Sequence, residues 1–220
     1  MNRAAIELVR ADSALAERFA ALMPGLIHAT GPVSYAYQFG ARAEFFDEIV
    51  FASWRGRDSL FSHDATTLAL VDGELAGIEL GFPGREFYPR RAAVGAIVSD
   101  LVSRGRASRD EALALSARAE KASYLNAHVP GGTYYVHALS VREPWRGKGV
   151  GARLLRDALE RAHSAGHRAL QLDVLADNPA VAFYRAHGLA TLSETRSPDL
   201  TRDHGFPSEL RMAIALQSKA

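Results

Sequence analysis

The stretch YYVHALSVREPWRGKGVG, running from Tyr134 to Gly151, decides how this chain is read. Tyr134 to Val141 is rich in aromatic and aliphatic residues and predicts a strand. Gly147, Gly149 and Gly151 then follow Trp145-Arg146, and three missing Cβ atoms let a ligand approach the backbone. Gly149 to Ala165 predicts a helix with Val150, Leu154, Leu155, Ala158, Leu159 and Ala162 on one face and charged residues on the other. The first turn of a helix has N–H groups without intrahelical partners, and its dipole favours an anion. Arg146 and Lys148 add positive charge. A strand, a basic glycine loop and a helix start in this order suit a phosphate-bearing ligand. The spacing is neither that of a P-loop nor the G-x-G-x-x-G of a dinucleotide site.

Working outward, Arg168 to Leu175 alternates apolar and polar residues and predicts the next strand. Strand, long helix and strand make a βαβ unit, so these two strands are expected to be parallel. Asn178-Pro179 predicts the start of a short helix that Gly188 ends, with Asn178 as N-cap. Leu189 to Glu194 and Glu209 to Leu216 predict the last strands. Upstream, Ile6 to Val9 predicts a first strand, and a helix capped at Asp12-Ser13 is expected to stop at Pro24-Gly25. Ile27 to Gly40 reads as loop, and Ala41 to Trp54 as a second helix. Thr66 to Val71 and Leu75 to Leu80 flank Asp72-Gly73, a hairpin signal. Arg85 to Thr133 reads as a helical excursion between the third and fourth strands, with capping-box spacing from Ser108 to Glu111. Its length implies a role of its own.

Composition narrows the function. The 220 residues are 48% hydrophobic and 23% charged, enough for a sizeable core. The formal net charge of +1 makes no electrostatic case for nucleic acid or membrane partners. Zero cysteine excludes disulfides, thiolate metal sites and a cysteine nucleophile. No apolar run approaches the roughly 18 residues of a membrane span, and MNRAAIELVRADS is too charged for a signal-peptide core, so a cytoplasmic protein is expected. His163 and His167 are four apart, but Gly166 interrupts the helix between them, which argues against a metal pair. Trp54, Phe45 and Phe46 read as core. Arg90-Arg91 and Arg104 to Arg109 read as a solvated basic face.

Arg146-x-x-Gly149-x-Gly151 after His137-Ala-Leu-Ser-Val141 resembles the central motif of the GNAT N-acetyltransferase superfamily. Asn178, Ala182-Phe183-Tyr184 and His187-Gly188 resemble that family's next motif. The resemblance implies an α/β fold, a splayed mixed sheet flanked by helices, over one domain of residues 1–220 with residues 85–133 as a helical insertion. It implies acetyl-CoA as co-substrate. Arg146, Gly147, Lys148, Gly149, Val150 and Gly151 would hold the diphosphate. The strand backbone around Leu139 to Val141 would pair with the pantetheine arm, and Asn178 would add a contact. The insertion is longer than the family's usual connection.

Direct transfer from thioester to amine needs a neutral amine and a protonated leaving thiolate. An alkylamine with pKa about 10.4 costs about 4.6 kcal/mol to deprotonate at pH 7. The resemblance makes Tyr184 the acid that serves the thiolate. His137, on the strand that should line the acetyl site, is the candidate base. The arylalkylamine acetyltransferases carry a histidine in a similar stretch. Asp173, Glu79 and Tyr124 are weaker alternatives. The expected acceptor is a small-molecule amine, with a protein N-terminus or lysine as the alternative. A non-catalytic acyl-CoA-binding module is the rival from another class. The insertion is expected to build the acceptor pocket or a homodimer contact.

Overall fold

A computed structural model describes residues 5–40 and 42–216. Among these residues, seven strands form one mixed sheet. In chain order they are β1 (Ile6–Arg10), β2 (Thr66–Val71), β3 (Glu74–Pro83), β4 (Tyr134–Val141), β5 (Ala169–Leu175), β6 (Ala190–Thr195) and β7 (Glu209–Ala215). Their spatial order is β1-β2-β3-β4-β5-β7-β6, antiparallel throughout except for β4 and β5. The β2–β3 hairpin turns where expected: Asp72 and Gly73 both take positive φ, 51° and 76°, which matches the twist of the strands they join. Exposed β6 and alternating β1 lie at the edges, while β2 and β3 are buried on both faces.

Helices cover the sheet on two sides. On the first face lie α1 (Ser13–Phe19), α2 (Met23–His28), α3 (Pro32–Phe39), α4 (Ala43–Arg55), α5 (Phe87–Ser103) and α6 (Arg109–Ala122), which share one large core with β2, β3 and β4. On the second face, α7 (Val150–Ser164) buries Val150, Leu154, Leu155, Ala158 and Ala162, and α8 (Ala180–Ala186) joins it. A last helix, α9 (Pro198–His204), buries Leu200 beside Leu125 and Phe206. Trp54, Phe45 and Phe46 are core, as expected.

Two sequence expectations are corrected. Pro24-Gly25 does not end the first helical run, and residues 27–40 are not a loop. Both prolines open helices: Pro24 falls in the first turn of α2 and Pro32 in that of α3. A proline there loses no hydrogen bond, because those N–H groups have no intrahelical partner anyway. The helix expected from Ala41 begins as α4 at Ala43; Ala41 itself lies outside the described residues.

The excursion between β3 and β4 is helical, as its caps imply. Ser108 accepts from the Glu111 N–H, and the Glu111 carboxylate accepts from the Ser108 N–H. Arg90 is not part of a solvated face. It is buried and paired with Asp64 at 3.1 Å and Glu86 at 2.9 Å, which ties α5 to the turn before β2. Arg91, one residue on, is exposed.

Candidate functional site

The site begins as a fault in the sheet. β4 and β5 pair only at Tyr134–Leu170 and Tyr135–Gln171, then part. On the other side of β4, Leu80 pairs with Ala138 and Gly81 with Val136, so His137 is an extra residue without a partner. This is a β-bulge, which bends a strand and re-aims side chains. Its effect is visible in the packing. Tyr134, Val136, Leu139 and Val141 pack on the second face, while Tyr135, His137 and Ala138 all lie on the first. The N–H of Arg142 donates to Ala76 of β3. By alternation, the backbone groups of Leu139 and Val141 face the widening gap.

The glycine loop closes the far end of that gap. Gly147 and Gly149 have φ of 70° and 88°, so the turn itself requires them. Gly151 is different. A Cβ there would meet Val141 and Phe183 at 3.5 Å, an ordinary contact. The protein does not need glycine at that position, and what the residue leaves is room over the helix start. The N–H groups from Gly147 to Ala152 make no well-formed backbone hydrogen bond among the described residues. Arg146 and Lys148 are exposed beside them; Arg146 Nε donates to the Val141 carbonyl at 3.1 Å, and Lys148 Nζ lies 5.0 Å from the centre of the Trp145 ring. A recess of about 290 Å³ runs from residues 140–146 to α2. Six free amides, two cations and an open helix start fit an elongated anion carrying a diphosphate.

Gly151 also joins the two sequence motifs, since its neighbours come from β4 (Leu139, Val141) and α8 (Phe183). Asn178 Oδ1 accepts from the Ala180 N–H at 2.8 Å and so caps the start of α8. Tyr184, on α8, is 7% exposed and packs with Val136 and Leu172 on the second face. Burial alone pushes its phenol up to about 12, so it stays protonated at neutral pH.

His137 lies on the opposite face, among Phe61, Phe82, Phe87 and Tyr135, with ring centroids 5.6–6.5 Å away. Its Nε2 is buried without a hydrogen-bond partner among the described residues. Desolvation lowers the imidazole to about 4, which keeps it neutral at pH 7. The ring lines a cavity of about 890 Å³ bounded by α3, α5 and α6, with β4, Asp173 of β5 and Glu209 of β7 beneath. Glu79 has no access to it. That carboxylate is fully buried and held by Arg161 and the Tyr134 hydroxyl, which makes it a strut between β3, β4 and α7. Tyr124 is 67% exposed.

Two polar groups of this cavity, Tyr135 and Glu209, carry no sequence signal; Asp173, one of the weaker candidate bases from the sequence, lines it with them. The Tyr135 hydroxyl donates to Asp173 Oδ2 at 2.9 Å, and Arg211 pairs with the same carboxylate. Glu209 opens β7 and accepts from Asn126 Nδ2 at 3.0 Å. Burial, with Asp173 adding to it, pushes the Glu209 carboxyl up to about 8. Alternation alone would mark these residues as strand positions. Only the sheet order brings them to one cavity.

Comparison with known proteins agrees with this architecture. Residues 35–189 match the model of the acetyltransferase (GNAT) family. An N-acetyltransferase from Staphylococcus aureus Mu50 superposes with a TM-score of 0.68 at 13% identity, over 94% of this chain and 100% of that one. An agmatine N-acetyltransferase gives 0.59 at 14%, over 96% and 99%. The ribosomal-protein-S18-alanine N-acetyltransferase of Escherichia coli gives 0.51 at 15%, over 98% and 96%. An uncharacterized protein of Mycobacterium leprae is 44% identical over 62 residues, 28% of this chain; the match spans only 16% of that relative's length. With the motifs, the parted strands and the family match in agreement, the chain belongs to the acetyltransferase (GNAT) family.

Proposed function

We propose that this acetyltransferase moves an acetyl group directly from acetyl-CoA to the primary amine of a small molecule. One observation carries the reading. β4 leaves β5 after Tyr135, so its far part has a backbone edge unpaired by β5 between the bulge at His137, whose ring lines the cavity under α5 and α6, and the glycine loop that follows Val141 in the chain. A thioester is the acyl donor in such a transfer: a C–N bond forms, the C–S bond breaks, and the thiolate must gain a proton while the nitrogen loses one.

The chain's residues divide that work. The amides of Gly147, Lys148, Gly149, Val150 and Gly151, with Arg146, hold the diphosphate. Backbone of Leu139 and Val141 lines the pantetheine arm, and Asn178 holds the start of α8 in place. Tyr184, neutral on the second face, donates to the leaving sulfur; the surroundings that raise its phenol also raise the basicity of that sulfur. His137, neutral on the first face with an unpartnered Nε2, accepts the nitrogen's proton. An imidazole near 4 is a poor base for a free ammonium at about 10.4. It suits the nitrogen after attack, when bonding to the acyl carbon has made its proton far more acidic. Zero cysteine leaves no thiol to carry the acetyl group, which supports direct transfer.

Thermal unfolding with and without acetyl-CoA tests the reading. At about 100 times Kd the ligand adds about 2.7 kcal/mol. For a chain of this size the midpoint should then rise by about 5–10 °C. Gly151→Glu is the control. Its Cβ fits, and its carboxylate suits a helix start, yet the charge repels a diphosphate. A rise in the wild type that is lost in this folded variant supports the reading. No rise at saturating acetyl-CoA would sink it.

A further inference from the structure

We propose that the cavity under α5 and α6 takes a primary amine carried on a large apolar body, with Glu209 receiving its ammonium end. This rests on the transferase reading and names its acceptor class.

The argument starts from how polarity is distributed. The walls supplied by the helices are mainly apolar, with Phe39 and Tyr35 from α3, Val94 and Val98 from α5, and Leu115 and Ala119 from α6; Ser34, Gln38, Ser99 and Ser116 add neutral polar groups among them. The sheet end, where β4 and β5 part, holds the polar groups Tyr135, His137, Asp173 and Glu209. A volume of about 890 Å³ is that of a site for a drug-sized molecule. A small hydrophilic amine would leave most of the apolar wall in water. An acceptor that fills the space must place apolar surface against the helices and its nitrogen at the sheet.

The charges at that end separate the two carboxylates. Asp173 is already committed: Arg211 pairs with it, and Tyr135 donates to it. Glu209 faces Asp173 and Arg211, and one of its oxygens accepts from the neutral amide of Asn126, with no cation in a salt bridge to it among the described residues. Arg91, Arg109 and Glu120 also border the cavity, but all three are exposed on α5 and α6. A bound ammonium supplies the counter-charge that Glu209 lacks and draws it into its ionised form; the nitrogen then sheds one proton to solvent before it attacks, and His137 takes the second after attack. The apolar walls then account for the excursion between β3 and β4, because α5 and α6 exist only there.

The test uses the whole chain and follows thiol release from acetyl-CoA, which is clean because the protein has no cysteine. Hexylamine and 4-phenylbutylamine are compared with ethanolamine, 1,4-diaminobutane and a short peptide with a free N-terminus. Each buried methylene is worth about fourfold, so kcat/KM should favour the apolar monoamines by about 100-fold or more. Ala119→Phe fills the cavity from α6 and should raise KM for 4-phenylbutylamine about tenfold, with the acetyl-CoA midpoint shift unchanged. Ser116→Phe, from an exposed position on the same helix, does the same should Ala119→Phe fail to fold. Glu209→Gln keeps an oxygen for Asn126 and should raise KM about tenfold with kcat within about twofold. Equal turnover of ethanolamine, the diamine or the peptide overturns the apolar class. A fall in kcat at unchanged KM in Glu209→Gln overturns the ammonium contact. Those results with the midpoint shift intact spare the transferase reading; no shift and no thiol release from any amine remove both.

Discussion

The Tyr135 hydroxyl hydrogen-bonds to Asp173 at 2.9 Å just past the last rung shared by β4 and β5. Beyond that point the backbones no longer hold the strands together, so side chains do. Tyr135→Phe should therefore destabilise the protein by about 1.5 kcal/mol, the lower end for a hydrogen bond to a charged group, because Arg211 still pairs with Asp173. Urea unfolding measures this. A change below about 0.3 kcal/mol would mean that the bond does not brace the parting strands.

Glu79 is fully buried and relies on Arg161 and Tyr134. Removing the cation should cost more than removing the pair. Arg161→Met is expected to lose about 3–5 kcal/mol, since it strands a buried carboxylate. Glu79→Gln with Arg161→Met should recover most of that. Desolvation already raises the carboxyl of Glu79, and without Arg161 nothing strong opposes it. In the single variant, stability should thus fall as pH rises above the ordinary carboxylate range. Equal losses in single and double variants would show that the ion pair, not the stranded charge, sets the cost.

His137 predicts a pH dependence of stability. Its folded-state pKa of about 4 lies below the ordinary 6.5, so the unfolded chain binds the extra proton between these values. The contribution is fully present above about 6.5 and is lost as pH falls toward 4. It amounts to on the order of 3–4 kcal/mol. Glu209 works with the opposite sign, because its raised carboxyl costs stability as pH climbs from 4.5 toward 8. In the difference between wild type and His137→Phe the Glu209 contribution cancels. That difference should change steadily from pH 6.5 downward; a flat difference would show that the ring is not desolvated.

Tyr184→Phe separates binding from chemistry. Acetyl-CoA should still raise the unfolding midpoint, because the diphosphate loop is untouched. Turnover should drop by about 10²–10⁴-fold, the range for a general acid. Steady-state kinetics with thiol detection reads it. Unchanged kcat would remove Tyr184 from the reaction.

Much of this was legible in the chain. The Asp72-Gly73 turn, the capping box at Ser108, the amphipathic face of α7 and the glycine loop are local patterns, set by backbone φ, by the caps a helix start needs and by the 3.6-residue period. They identified the βαβ unit and the expected phosphate loop. Pro24 and Pro32 begin helices that residue type alone does not signal, because position within a helix decides whether proline breaks or begins it. The bulge at His137 had no local mark, since only pairing with Leu80 and Gly81 makes that residue surplus. Nor could the chain reveal that Glu209 and Asp173 border one cavity with Tyr135, because β7 reaches β5 only through the strand order. Local physics thus determined the loop expected to grip the donor. The cavity proposed for the acceptor was decided by tertiary structure alone, because its walls are residues up to 179 positions apart, from Thr30 to Glu209, that touch only when the sheet has closed between β4 and β7.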